Sequence, residues 1–471
     1  MEHTFIGLDV GTQGARAILT DERGHVLATF SEHFPLSAAS REEQSPEEWW
    51  AACEKLLLQL LQHPAAAKLR AIGVTSTSGT IIPVDAAGQP LHPAIMYSDG
   101  RQAGEGKRCK ALAEQFHPDG YTAFNTTSGL PKMVWFAENF PEKARRIHKF
   151  IHAADFITGK LTGNFGVTDF TNVLKSGYDV ANERWPEYIW SHLPLRREWL
   201  QDVVPSGAPV GEVILRLPGM PPNVVATAGM TDGCASQIAS GAVTPGAWNT
   251  TIGTTLVVKG VTQQPVQDPL GRLYNHRHPQ GFWMPGGASN TGADWISKHF
   301  PGNLDALNEA AAALVPTGKL YWPLEQQGER FPFIAPQAEA FGDPGLEGAE
   351  KFAAGMEGVA YVEKMAYEMI EQLSGETVKA VYTAGGASNS ALWLKIRASV
   401  LGAPVHKMKE VSGAAGAAIL AASQTYYSSI AEAAAAMAHI ENTMQPDPEL
   451  AEAYQHGYQQ FREKLKEKGY A

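Results

Sequence analysis

Phe5-Ile6-Gly7-Leu8-Asp9-Val10-Gly11-Thr12-Gln13-Gly14-Ala15-Arg16 is the stretch on which the reading of this chain turns. An apolar run ends in one carboxylate, and a Gly-Thr-x-Gly turn then feeds a second apolar strand, Ala17-Ile18-Leu19. A carboxylate at a strand end is placed to hold a magnesium ion, and glycines let backbone N–H groups approach a phosphate closely. An ordinary β-hairpin with a glycine-rich turn has the same local pattern. The stretch therefore takes its meaning from the rest of the chain.

At 471 residues the chain exceeds what one hydrophobic core usually supports, so two domains are expected. With 44% hydrophobic and 18% charged residues it has a globular balance. The net charge of −11 argues against nucleic acid or an anionic membrane as a partner, because both require a basic footprint. Cys53, Cys109 and Cys234 are far apart and odd in number, fitting neither a zinc spacing nor a disulfide framework. Met1-Glu2-His3-Thr4 runs into the first strand without a signal pattern, and no apolar run is long enough to cross a bilayer. These features predict an α/β protein of the reducing cytoplasm.

Strands and helices alternate from the start. The first hairpin turns at Asp21-Glu22-Arg23-Gly24 and resumes at Val26-Leu27-Ala28. Ser45 as N-cap, Pro46 at the first helical position and Glu48 as capping-box partner predict a helix, with Trp49, Cys53, Leu56, Leu57 and Leu60 on its buried face. A strand at Ile72-Gly73-Val74, the turn Ser76-Thr77-Ser78-Gly79 and a strand at Thr80-Ile81-Ile82 follow, closed by a Gly88 turn. A second cycle begins at the strand Val224 to Gly229, which leads through Met230-Thr231-Asp232-Gly233 into a small-residue helix, Cys234 to Ser240. After Thr244-Pro245-Gly246, the segment from Trp248 to Val258 repeats the opening layout of strand, Gly253-Thr254-Thr255 turn and strand. This repetition predicts an internally duplicated architecture with a boundary near residue 245. Further on lie a long helix from Phe352 to Leu373, whose Val359, Val362, Met365, Met369 and Leu373 form a core stripe, and a strand Val378 to Thr383. That strand ends in Ala384-Gly385-Gly386-Ala387-Ser388, and the tail is an amphipathic packing helix with Tyr454, Tyr458, Phe461 and Leu465 on one face.

Three glycine-rich turns thus follow strands in two halves, and their order resembles the actin-like ATPase superfamily. More closely, the chain resembles the FGGY family of carbohydrate kinases from about residue 4 to 425. Lys132 to Asn139 is similar to the end of that family's first signature, although Thr127 and Gly129 before it depart from the usual pattern. Asp155 to Thr162, Gly328-Glu329-Arg330-Phe331-Pro332, Thr383 to Trp393 and Gly413 to Ala418 each resemble a further family segment. The resemblance implies an α/β fold of two actin-like, ribonuclease H-like domains, 1–245 and 246–471, with a catalytic cleft between them. The first domain would carry the sugar site, the first phosphate turn and the catalytic aspartate, and the second would bind ATP.

The resemblance also implies roles. Asp232 falls where the family carries its catalytic base, although locally an aspartate before glycine at a helix start is also a favoured N-cap. Asp9 is the expected magnesium ligand, acting directly or through water, since Mg²⁺ pairs one or two carboxylates with substrate phosphates. Gly11, Thr12, Gln13, Gly14 and Arg16 are expected on one side of the nucleotide phosphates and Gly253, Thr254 and Thr255 on the other. Arg16 has a surface ion pair as its alternative. Gly385, Gly386 and Ala387 would take the adenosine, with Ser390 and Trp393 flanking the base, while Trp393 also has the spacing of a buried helix residue. On the sugar side, Thr77, Ser78 and Thr231 would join Asp232, together with Asp99 and Arg101 of Tyr97-Ser98-Asp99-Gly100-Arg101, which otherwise reads as a turn with an internal salt bridge.

Thr77 and Ser78 stand where typical xylulokinases carry Met-His, and the absent histidine argues against plain D-xylulose. Thr77-Ser78-Gly79-Thr80, Asp169-Phe170-Thr171-Asn172 and Gly287-Ala288-Ser289-Asn290 resemble the D-ribulose kinases. Tyr274-Asn275-His276-Arg277-His278 is not read as a metal site, because no third ligand lies near it in sequence. The expectation is an ATP- and Mg²⁺-dependent kinase of a small sugar, most readily a ketopentose. A polyol kinase, a sugar-independent actin-like ATPase and a silent sugar binder are its rivals, and a homodimer is compatible with the sequence.

Overall fold

The opening stretch folds as two antiparallel strands, Thr4–Val10 and Gly14–Asp21, in register with Asp9 opposite Arg16. The computed structural model describes residues 2–471. On its other side the first strand runs parallel to Leu69–Ser76, which sets Asp9 beside Thr75 and Val10 beside Ser76. The sheet continues outward through Val26–His33 at one edge, and through Val225–Thr227 and Pro209–Glu212 at the other. The helix Pro46–Leu60 covers it as its spacing predicts. Ser45 Oγ accepts the Glu48 N–H at 3.3 Å, and Trp49, Cys53, Leu56, Leu57 and Leu60 are all buried.

Of the expected strand from Val224 to Gly229, Val225–Thr227 forms, and a second short strand, Met230–Thr231, follows it. Between them, the Ala228 N–H donates to the Ala208 carbonyl at 2.8 Å and its carbonyl accepts the Gly207 N–H at 2.9 Å. The second strand rejoins Leu69–Ser76 in parallel, with Met230 beside Thr75 and Thr231 beside Ser76. The helix Asp232–Ala239 follows directly.

The second half repeats this pattern. Ala247–Ile252 is antiparallel to Leu256–Gly260 and parallel to Ala380–Ala384, and Val405–Met408 and Ile440–Met444 extend the sheet. The long helix is Gly348–Ser374, stopped by Gly375 in the left-handed conformation at φ 69°. The tail helix Pro448–Glu467 buries the four predicted residues, Tyr454, Tyr458, Phe461 and Leu465.

Internal contacts divide the chain into two units, each with its own hydrophobic core. The first comprises Met1–Ala239, His276–Gly281 and Glu410–Ala438, and the second Ser240–Asn275, Phe282–Lys409 and His439–Ala471. This differs from a single boundary near residue 245, because the wholly buried helix Gly413–Ser423 packs on the first sheet. The approach is close enough to require glycine: a Cβ at Gly7 would lie 1.8 Å from the Ala414 carbonyl oxygen, and one at Gly73 2.1 Å from that of Ala417.

Candidate active site

In the first unit, the ends of three parallel strands bring Asp9, Ser76 and Thr231 into neighbouring positions, and Asp232 follows at once. Open α/β sheets place their ligands at such carboxyl ends. Burial and the charge of Asp232 push the Asp9 carboxyl up to about 7, and Arg16 acts in the opposite direction. Asp9 Oδ1 is buried, and no hydrogen-bond partner reaches it among the described residues; the same holds for Ser76 Oγ and Ser78 Oγ. Gly413 comes so near that a Cβ on it would lie 2.6 Å from Asp9 Oδ2. Asp232 opens its helix, and its Oδ1 accepts the Gly233 N–H at 2.6 Å, so it makes a cap-like contact as well.

The first turn is braced from outside. Gly11 N–H donates to the Gly14 carbonyl at 2.9 Å, and Gln44 Nε2 donates to the Thr12 carbonyl at 3.1 Å. Gln13 is exposed at its tip. Arg16 pairs with Glu410 at 3.7 Å, which is the surface ion pair its position also allowed.

Thr77 Oγ1 meets Thr80 Oγ1 at 3.0 Å, and Thr80 Oγ1 accepts the Tyr97 N–H at 3.2 Å. Thr12 Oγ1 donates to the Tyr97 hydroxyl at 3.4 Å, so Tyr97 joins the sugar-side turn to the first phosphate turn. Local sequence gave no sign of this link.

Asp99 requires a correction. It is fully buried, its two oxygens are occupied by the backbone and guanidinium of Arg101 and by Gln102 Nε2, and these bonds hold its carboxyl below the usual range against burial. Asp99 therefore aims Arg101 instead of facing a sugar. Arg101 remains partly exposed, bonded to Glu43 at 2.7 Å and lying 4.6 Å over the Trp135 ring.

In the second unit, the turn at Gly253, Thr254 and Thr255 is held by the buried carboxylate of Glu329, from the Gly-Glu-Arg-x-Pro segment. Glu329 accepts Ser289 Oγ at 2.7 Å, Thr291 Oγ1 at 2.8 Å and the Asn290 N–H at 2.8 Å. Thr291 in turn accepts the Leu256 N–H at 2.8 Å, and Gly253 accepts the Ala293 N–H at 2.7 Å. A Cβ on Gly253 or Gly386 would meet nothing within 4 Å, so chain packing does not require glycine at either position. Gly385 is different: its φ of +87° and a Cβ position 2.6 Å from the Ile252 carbonyl oxygen require glycine for the fold.

Ala387 is buried, and Ser390 caps the following helix by accepting the Trp393 N–H at 3.1 Å. Trp393 is also corrected. It is 1% exposed, its Nε1 donates to the Met356 carbonyl at 3.1 Å, and it packs against Trp295, so its ring belongs to the core and does not flank a base.

The N-terminal domain of the FGGY family of carbohydrate kinases matches residues 4–239, and the family's C-terminal domain matches residues 248–425. The chain belongs to this family and is a sugar kinase, for which ATP is the implied phosphoryl donor. It is 26% identical to the xylulose kinase of Escherichia coli (strain K12) over 434 residues, 88% of this chain and 89% of that one. It is 24% identical to a gluconokinase of Bacillus licheniformis, covering 85% of this chain and 83% of the relative. In fold it is similar to a xyloylose kinase from Brucella ovis, with a TM-score of 0.86 at 23% identity over 98% of this chain and 99% of that one. Among the described residues no helix is long and apolar enough to cross a membrane.

Proposed function

We propose that this kinase phosphorylates a ketopentose, D-ribulose or D-xylulose, at its terminal hydroxyl, with Asp232 as general base. The observation that carries the proposal is the presence of two carboxylates, Asp9 and Asp232, at the strand ends, where Asp9 Oδ1 is buried with no partner among the described residues and burial, then the Asp232 charge, raise the Asp9 pKa. Phosphoryl transfer needs positioning and charge neutralisation more than covalent chemistry. Asp232 accepts the proton of the sugar hydroxyl as the oxygen attacks the γ-phosphorus in line and the γ-phosphoryl–ADP bond breaks.

A divalent cation fits the Asp9 oxygen that has no partner among the described residues, and Asp9 would hold Mg²⁺ together with the nucleotide phosphates. When bound, the ion neutralises phosphate charge. Thr12 and the backbone of Gly11 to Gly14 are assigned to the phosphates, and Ser78 Oγ, buried and without a partner among the described residues, to a sugar hydroxyl.

The ketopentose reading draws support from the similarity to xylulose kinases and from the D-ribulose-kinase-like segments around Thr77 and Asp169. The similarity to a gluconokinase keeps aldonic acids in the comparison. The test is coupled ADP release with Mg·ATP against D-ribulose, D-xylulose, aldopentoses, polyols, glycerol and gluconate. The highest kcat/KM is expected with one ketopentose. Turnover confined to polyols, glycerol or gluconate overturns the sugar assignment but keeps the kinase, and ATP hydrolysis indifferent to every sugar overturns both.

A further inference from the structure

The two-residue strand Met230–Thr231 delivers Asp232 to the site, and two buried hydroxyls grip it. Thr75 Oγ1 donates to the Met230 carbonyl at 2.8 Å. Thr171 Oγ1 accepts the Thr231 N–H at 2.9 Å. Thr171 Oγ1 also donates its own proton to Asp169 Oδ2 at 2.7 Å, which turns the hydroxyl lone pair toward Thr231. Asp169 is itself fixed, because its Oδ2 accepts the Thr171 N–H at 2.7 Å and Ser206 Oγ at 2.6 Å, and its Oδ1 accepts the Asn172 N–H at 3.3 Å. Asp169, Thr171, Asn172 and Ser206 are all fully buried. Asn172 Oδ1 is the one side-chain oxygen of these four residues left without a partner among the described residues. Such a buried network is expensive to build, and the reaction as described so far gives it no task.

We infer that Thr171, oriented by Asp169, is the positioning residue for Asp232. It fixes the backbone at Thr231 and hence the point from which the Asp232 side chain departs toward the sugar hydroxyl. The inference rests on the reading of Asp232 as the base. Thr171→Val keeps the shape, removes both hydroxyl bonds and leaves the Thr231 N–H buried without its acceptor. Displacement of a reacting group by about 1 Å is enough to cost roughly 100-fold in rate.

The experiment measures kcat, both KM values and the melting temperature for Thr171→Val, Thr171→Ser, Asp232→Asn and the double variant Thr171→Val/Asp232→Asn. The valine variant is expected to lose about 10- to 100-fold in kcat with each KM within about twofold, the pattern of an interaction made only in the transition state. Serine, which retains the hydroxyl, restores kcat. In the Asp232→Asn background the valine substitution adds no further loss, because the group it positions is gone.

A folded Thr171→Val enzyme with unchanged kcat overturns the inference, as does a loss confined to the sugar KM or a serine variant no better than valine. Should the valine variant fail to fold, Asp169→Asn takes its place, with a loss in kcat expected and an unchanged kcat overturning the inference. An active Asp232→Asn enzyme would sink the reading of the base itself. An inactive one beside a fully active Thr171→Val would sink the positioning role alone.

Discussion

The Asp9 carboxyl is pushed up to about 7 first by burial and then by Asp232. The folded chain therefore holds that proton more tightly than the unfolded chain, in which an aspartate titrates near pH 4. The stabilisation from this linkage is fully present below about pH 4 and is lost as the pH rises through 7. Asp9→Asn removes the ionisation, so without nucleotide or metal the variant should melt about 2–5 °C above wild type at pH 8, with a smaller gap at pH 5.5. The same variant should lose turnover, a site residue trading stability for function. A variant that melts below wild type at pH 8 would contradict this account of the carboxyl. At this scale the sequence exposes residues whose neighbours are local: Asp9 before its glycine turn, and Asp232 before its helix. It hides Asp99 and Trp393, because the partners that occupy a polar atom or cover a ring are chosen by the fold. It hides Thr171 for the same reason, since its acceptor role toward Thr231 spans 60 positions of chain.

Among elements, the helix Gly413–Ser423 shows what small residues do. Every residue in it is buried, and a Cβ on Gly416 would lie 1.9 Å from the Ala235 carbonyl oxygen in the helix that begins at Asp232. Helix propensity alone favours alanine over glycine by about 1 kcal/mol. A carbon pressed that close to a backbone oxygen forces the two helices apart, and overpacking typically costs about 1–3 kcal/mol or more. Gly416→Ala should therefore lower the urea midpoint with little change in the slope, by a net amount on the order of 1–2 kcal/mol. An unchanged or higher midpoint would show that the contact relaxes freely. In the sequence this segment stood out only by the family resemblance of Gly413 to Ala418, not as a buried helix. Its partner was not legible, because a run of small residues fits any surface equally well.

Across the whole molecule, duplication was the legible feature. The Gly11-Thr12 and Gly253-Thr254 turns each sit between antiparallel strands, and each first strand has a parallel neighbour further along the chain. The discontinuous make-up of the first unit was not legible, since residues 410–438 join it through the backbone-to-backbone approach at Gly7 and Gly73. Both halves match one family of carbohydrate kinases, so the central claim concerns chemistry: that Asp232 takes the proton from a sugar hydroxyl during transfer from ATP. The most direct test is sugar-dependent ADP release by wild type and Asp232→Asn, with Mg·ATP and the sugar that gives the highest turnover, alongside their melting temperatures. A folded Asn variant slower by about 10²–10⁴-fold is the predicted result; one that turns over at nearly the wild-type rate would contradict it.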